Sequence, residues 1–194
     1  MYIPAGAIKD LELQFGTPKE ITMDHFITSP EMTMLRASQK HGRAHDFTFF
    51  IIDRDNRVAV ISKHSHPPGF YRAPSGGVNP GEDVLQGMYR EAFEETGIRI
   101  DIKQYILRIN VTFKCDRIAV PWVSHIFTAA PLTTLMKPID TKEIKEVKWV
   151  SWKELQGPIR DNLSKSPAKL FHYRVFLTDA VAQLLGEQPG SCLF

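Results

Sequence analysis

Cysteine is nearly absent from this 194-residue chain: Cys115 and Cys192 are the only two. They are too few for a disulfide framework and too far apart to read as a metal-ligand pair, so a reducing, cytoplasmic setting is expected. An excess of one charge is missing too. With 24 Lys+Arg against 22 Asp+Glu the formal net charge is +2, which gives no sign of a nucleic-acid coat or a membrane-surface role. No run approaches the roughly 18 uninterrupted apolar residues of a membrane span, and Met1 to Asp10 lack a basic start followed by an apolar stretch, so a soluble chain is expected. There is no G-x-G-x-x-G, no phosphate-loop lysine motif, no internal repeat and no low-complexity tract. What is present is ordinary globular material. Hydrophobic residues make up 43% and charged residues 24%, enough apolar surface for one domain of fair size, or for a core with extensions.

Three regions can be drawn. Residues 1–45 read as an extension packed on the core, with strand-like alternation at Leu11 to Phe15 and, less cleanly, at Ile21 to Ile27. Ser29-Pro30-Glu31 then starts a helix that stops near Gly42. Residues 46–156 read as the core. Phe47 to Asp53 is a nearly continuous apolar run, as for a strand buried on both faces. The polar turn Asp53 to Asn56 and the return strand Arg57 to Ser62 predict a hairpin. Strands are also expected over Ile100–Val111, Ile118–Ala129 and Glu146–Val150, with a loop from Pro131 to Thr141. Ser151 caps a helix start. In the C-terminal segment, 157–194, Leu170 to Leu185 is helical in period, Gly186 ends it, and the tail beyond is expected to be loose. Strand pairs interleaved with helices argue for an α/β protein with a mixed sheet covered on both faces.

The chemistry is concentrated between Pro74 and Ile98, where a glycine-rich loop feeds a helix. Glu91, Glu94 and Glu95 fall within an arc of roughly 100° on that helix. Like charges so close repel one another, and a hard divalent cation held by carboxylate oxygens would turn the repulsion into attraction. Val84, Leu85, Met88 and Ala92 form the stripe that buries, so the glutamates lie at its edge, partly desolvated. Arg90 stands one turn before Glu94 and can pair with it. Gly97 suits a left-handed helix end.

From Gly76 the chain reads G-x5-E-x7-R-E-A-x-E-E-x-G-I, with Glu82, Arg90, Glu91, Glu94, Glu95, Gly97 and Ile98 in register. This pattern resembles the Nudix hydrolases, whose signature is G-x5-E-x7-R-E-U-x-E-E-x-G-U with U aliphatic, and the likeness extends over about 45–156. The resemblance implies an α/β/α sandwich, a magnesium or manganese cofactor, and water attack at phosphorus on a nucleoside diphosphate linked to another group. By position it implies that Glu91, Glu94 and Glu95 are metal ligands, that Glu82 is a neighbour of the metal, and that Glu91 orients or deprotonates the water. Arg90 would orient the glutamates, so Glu91, Glu94 and Arg90 form the expected catalytic set. Ser75, where many relatives carry glycine, would offer a backbone carbonyl to the metal.

The loop before the motif supplies the expected substrate contacts, namely His64, Tyr71 and Arg72, with His66 beside them and arginine best suited to phosphate oxygens. Trp122 or Phe113 could stack on a base, against the simpler reading as packing. Subfamily patterns for ADP-ribose, diadenosine-polyphosphate, coenzyme A and NADH substrates are not matched. Two alternatives stay open. One is a catalytically silent nucleotide-binding module of the same fold. The other is a prenyl-diphosphate isomerase with Cys115 as acid. The 1–45 extension is also a candidate homodimer surface.

Overall fold

The sheet is built around one strand that is buried from end to end. In the computed structural model, which describes residues 3–133 and 135–187, β2 (His45–Ile51) has all seven residues inside. It lies parallel to β6 (Ile118–Pro131) and antiparallel to the two-residue β4 (Ser75–Gly76). β6 pairs antiparallel with β5 (Ile100–Cys115), which in turn runs parallel to β1 (Lys19–Phe26) at the edge. The order β1-β5-β6-β2-β4 makes a mixed five-stranded sheet, and β3 (Arg57–Lys63) with β7 (Ile144–Ser151) makes a separate antiparallel pair.

Side chains alternate along β2, and this divides the core in two. Phe47, Phe49 and Ile51 join Leu11 and Phe15 of α1 (Ala5–Phe15) and Met88 and Ala92 of α3 (Val84–Thr96). Phe50 points the other way, towards Met32 and Leu35 of α2 (Ser29–Ser38), Leu177 and Val181 of α6 (Lys169–Leu185), and a parallel Trp152 ring 6.0 Å away. Two short helices, α4 (Trp152–Glu154) and α5 (Arg160–Ser164), bracket the turn at Gly157-Pro158. The result is an α/β/α sandwich with a mixed sheet. Val84, Met88 and Ala92 are buried as the stripe required.

Three sequence expectations are corrected. Leu11 to Phe15 is the last part of α1, not a strand. Leu11 and Phe15 are one helical turn apart and both buried, and a five-residue window fits either period. The expected hairpin of β2 and β3 is only a turn. Asp53 Oδ1 accepts the N–H groups of Asp55 and Arg57, and Ile52 bridges Val58. Beyond that bridge the strands separate, because β2 finds its partners in β6 and β4. Turn chemistry reverses the chain but does not choose the partner. Ser29, read from sequence as the cap of α2, is its first helical residue: Thr28 is the N-cap, and its N–H and hydroxyl both donate to Glu31. α6 ends at Gly186, with φ 75°. The tail expected to be loose, with Cys192, lies outside the described residues apart from Glu187.

A buried imidazole pair crosses the sheet where β2 meets β6. His45 Nδ1 lies 2.7 Å from His125 Nε2, and His125 Nδ1 meets the Tyr105 hydroxyl. Burial holds His45 down to about 4 and His125 well below its ordinary value; it lowers His66 to about 4 as well. These folded-state values lie below the unfolded value of about 6.5, so the unfolded chain takes up protons that the folded chain refuses. Stability is therefore fully present above about pH 6.5 and is lost as pH falls towards 4. Thermal melts should show Tm falling between pH 7 and 5, and His45→Asn should flatten that slope whatever its absolute Tm. A flat wild-type profile would contradict the assignment.

Candidate active site

The loop before α3 is set against the sheet by backbone pairing. Phe47 opposes Gly76, Thr48 opposes Ser75, and Phe49 N–H donates to Pro74 O at 2.9 Å. This brings the loop onto the helix so closely that a Cβ on Gly76 would stand 1.9 Å from Glu91 Oε2. Any side chain at position 76 would have to displace the Glu91 carboxylate from this position. At the far end Gly97 has φ 72° and its N–H donates to Phe93 O at 2.7 Å, while a Cβ would meet Lys137 O at 2.1 Å. Asp83 caps the helix by accepting Gln86 N–H at 3.0 Å.

The carboxylates fall into two groups, each organised by one arginine. Arg90 Nη1 donates to Glu91 Oε1 and Glu94 Oε2, both at 3.0 Å, while Nε and Nη2 grip Glu82 at 2.7 and 2.8 Å. Nη2 also donates to Gly77 O at 3.1 Å, which ties helix to loop. The Arg90 guanidinium holds Glu82 down at about 2. Glu91 goes the other way. Burial raises its pKa, Arg90 opposes that rise, and Glu95 and Glu94 add to it. The second group is deeper. Glu95 is 5% exposed and accepts Ser75 N–H at 2.7 Å and Arg72 Nη2 at 3.3 Å, with Lys63 Nζ 3.9 Å away. Arg72 Nη1 also donates to Ser75 Oγ at 2.9 Å. Neighbouring carboxylates with opposite shifts suit acid–base work.

The structure therefore brings Glu82, Arg90, Glu91 and Glu94 together, and sets Ser75, Arg72 and Glu95 beside them. Tyr71 and His64 stand apart from this cluster. The Tyr71 hydroxyl donates to Glu146 at 2.8 Å under Lys148, and burial with Glu146 pushes its pKa up to about 12. His64 is exposed, its Nε2 3.1 Å from Thr141 O. Sequence reasoning placed Lys63 only at the start of the loop before the motif, and it missed Asp46 and Arg174. Arg174 Nη2 reaches Asp46 at 3.3 Å and Ser75 Oγ at 3.2 Å across the sheet. Nothing local in the sequence signals a contact spanning about a hundred residues.

A divalent cation suits this donor set. The available groups are hard carboxylate oxygens on a rigid helix, and Arg90 takes only one oxygen each of Glu91 and Glu94. Among the described residues no three His, Cys, Asp or Glu side chains already converge with ligating geometry.

A family model, NUDIX domain, matches residues 42–173. Nudix hydrolase 2 of Arabidopsis thaliana is 32% identical over 110 residues, 54% of this chain and 38% of that protein. Nudix hydrolase 8 of the same plant is 25% identical over 156 residues, 76% and 40% respectively. The RNA pyrophosphohydrolase of Pelagibacter ubique is 41% identical over 49 residues, 25% and 31%. The chain spans less than half the length of these curated relatives. A solved NUDIX hydrolase from Nitrosomonas europaea superposes with a TM-score of 0.51 at 20% identity, covering 75% of this chain and 74% of that one. At that identity the likeness is one of fold.

Proposed function

Because the chain belongs to the Nudix family, we propose that it hydrolyses the diphosphate linkage of a nucleoside diphosphate joined to another group, with water attacking phosphorus and magnesium or manganese as cofactor. The observation that carries this reading is the seating of the Gly76 loop on the Glu91 carboxylate, with Arg90 bracing Glu82, Glu91 and Glu94 around it. Glu91, Glu94 and Glu95 would hold the cation, with Glu82 and the Ser75 carbonyl at its margin. Once bound, it would neutralise the diphosphate's negative charge, which otherwise repels a nucleophile.

The remaining steps belong to side chains. Glu91 is assigned as the group that orients the attacking water and takes its proton, because burial and like charges make it a better base than an exposed glutamate. Arg90 keeps the glutamates in fixed rotamers. Arg72 holds Glu95 and Ser75, an indirect role beside the direct substrate contact expected from sequence. The isomerase reading finds no support in the surroundings of Cys115, which is buried against Ser29 Oγ and Asp116 and does not line the cavity at Ser75. Hydrolysis in 18O-enriched water tests the reaction. Cleavage at phosphorus places one 18O atom in one phosphate product, whereas label in the alcohol product would contradict it.

A further inference from the structure

A cavity of about 290 Å³ opens beside the glutamate cluster, sharing Ser75 and Arg72 with it. It lies between the sheet, α2 and α6. Arg43, Lys63, Arg72 and Arg174 supply positive charge, and Trp122 and Tyr173 supply aromatic surface. Three of the cations are already paired: Lys63 with Glu143, Arg72 with Glu95, and Arg174 with Asp46. Arg43 differs. Among the described residues no carboxylate lies within 4.0 Å of it. Its Nε donates to His45 O at 3.0 Å, its guanidinium stands 5.6 Å from the Trp122 ring centroid, and a Cβ on Gly77 would meet its Cζ at 2.3 Å. It is thus pressed onto the motif's glycine loop with its two terminal nitrogens uncommitted to any acid.

The polar groups on the cavity wall are engaged elsewhere. Asp46 accepts from Trp122 Nε1, Ser124 Oγ and Arg174. The Ser38 hydroxyl donates to Leu35 O, and Ser75 Oγ accepts from Arg72 and Arg174. Between the cations, a base entering here meets apolar and aromatic surface, and the hydroxyl and carboxylate groups it would pass are already bonded within the protein. Sites that hold hydrogen-bonding groups free for the substrate discriminate steeply, whereas apolar walls do not. An unpaired guanidinium at a glycine loop, by contrast, suits phosphate oxygens.

We infer that Arg43 is a phosphate-binding residue of the substrate cleft, and that the cleft ranks nucleotides by phosphate charge rather than by base. The inference rests on the assignment of this site to a diphosphate substrate. It is tested by calorimetric titration of wild type, Arg43→Gln and Arg43→Lys with ADP, GDP, CDP, UDP and AMP in magnesium buffer. The wild-type Kd values for the four diphosphates should agree within about 10-fold. Arg43→Gln should weaken ADP by about 10-fold or more and AMP by less, with Arg43→Lys in between. Should Arg43→Gln fold poorly by its melt, Arg43→Lys carries the comparison. Three outcomes overturn the inference: preference for one base by more than about 100-fold, an unchanged Kd for ADP in the variants, or no wild-type binding of any diphosphate. Binding of this pattern without hydrolysis would sink the proposed reaction and leave Arg43's role standing. Hydrolysis with an unchanged Kd in the variants would do the reverse.

Discussion

Glu91→Gln is expected to lower kcat by about 10²–10⁴-fold, the usual contribution of a positioned acid–base group, while the protein melts no lower than wild type. The amide keeps the shape of the side chain and can still accept from Arg90 Nη1, now 3.0 Å from Oε1. What it loses is the charge that, on the proposed reaction, takes a proton and holds a cation. That charge is unfavourable to the fold itself, since burial, Glu95 and Glu94 all disfavour the ionised form. Neutralising it removes a cost, so activity and stability should move in opposite directions. Steady-state kinetics beside a melting curve would check both. A parallel loss of kcat and Tm would mean that Glu91 serves the fold rather than the reaction.

The second large effect is on stability. Arg72→Met should destabilise the protein by about 3–5 kcal/mol, the range for removing one partner of a buried ion pair. Arg72 is 6% exposed and serves Glu95, Ser75 Oγ and Ala73 O at once. Removing it leaves Glu95 with the Ser75 N–H and a distant Lys63. Chemical denaturation measures the change. The double variant Arg72→Met/Glu95→Met should recover part of it, because no buried charge is then left unpaired. If the single variant is as stable as wild type and merely binds nucleotide poorly, Arg72 faces substrate as the sequence alone had indicated.

The motif was legible because its contacts are local or nearly so. Arg90 meets Glu91, Glu94 and Glu82 within eight positions, and helix periodicity places them. Gly76 was legible as part of a glycine-rich loop and Gly97 as a helix end, and the structure adds what each lies against, a Glu91 carboxylate and a Lys137 carbonyl. The Arg72–Glu95 pair spans 23 positions and Arg174–Asp46 spans 128, and no periodicity encodes such pairings. The same limit explains the fold errors. Leu11 to Phe15 fits two periods over five residues, and the pairing of β2 with β6 is decided by burial on both faces, not by the turn at Asp53. The cavity beside the glutamates lies on this long-range side of the divide, since α2, Arg43 and α6 all line it.

The most direct test of the central claim is phosphate release from a panel of nucleoside-diphosphate-linked compounds, each assayed with magnesium, with manganese and with chelator. Turnover of at least one compound that requires the cation and vanishes in Glu94→Gln and Glu95→Gln is the predicted result. Nucleotide binding with no phosphate released under any condition would contradict it and identify a silent module on a hydrolase fold.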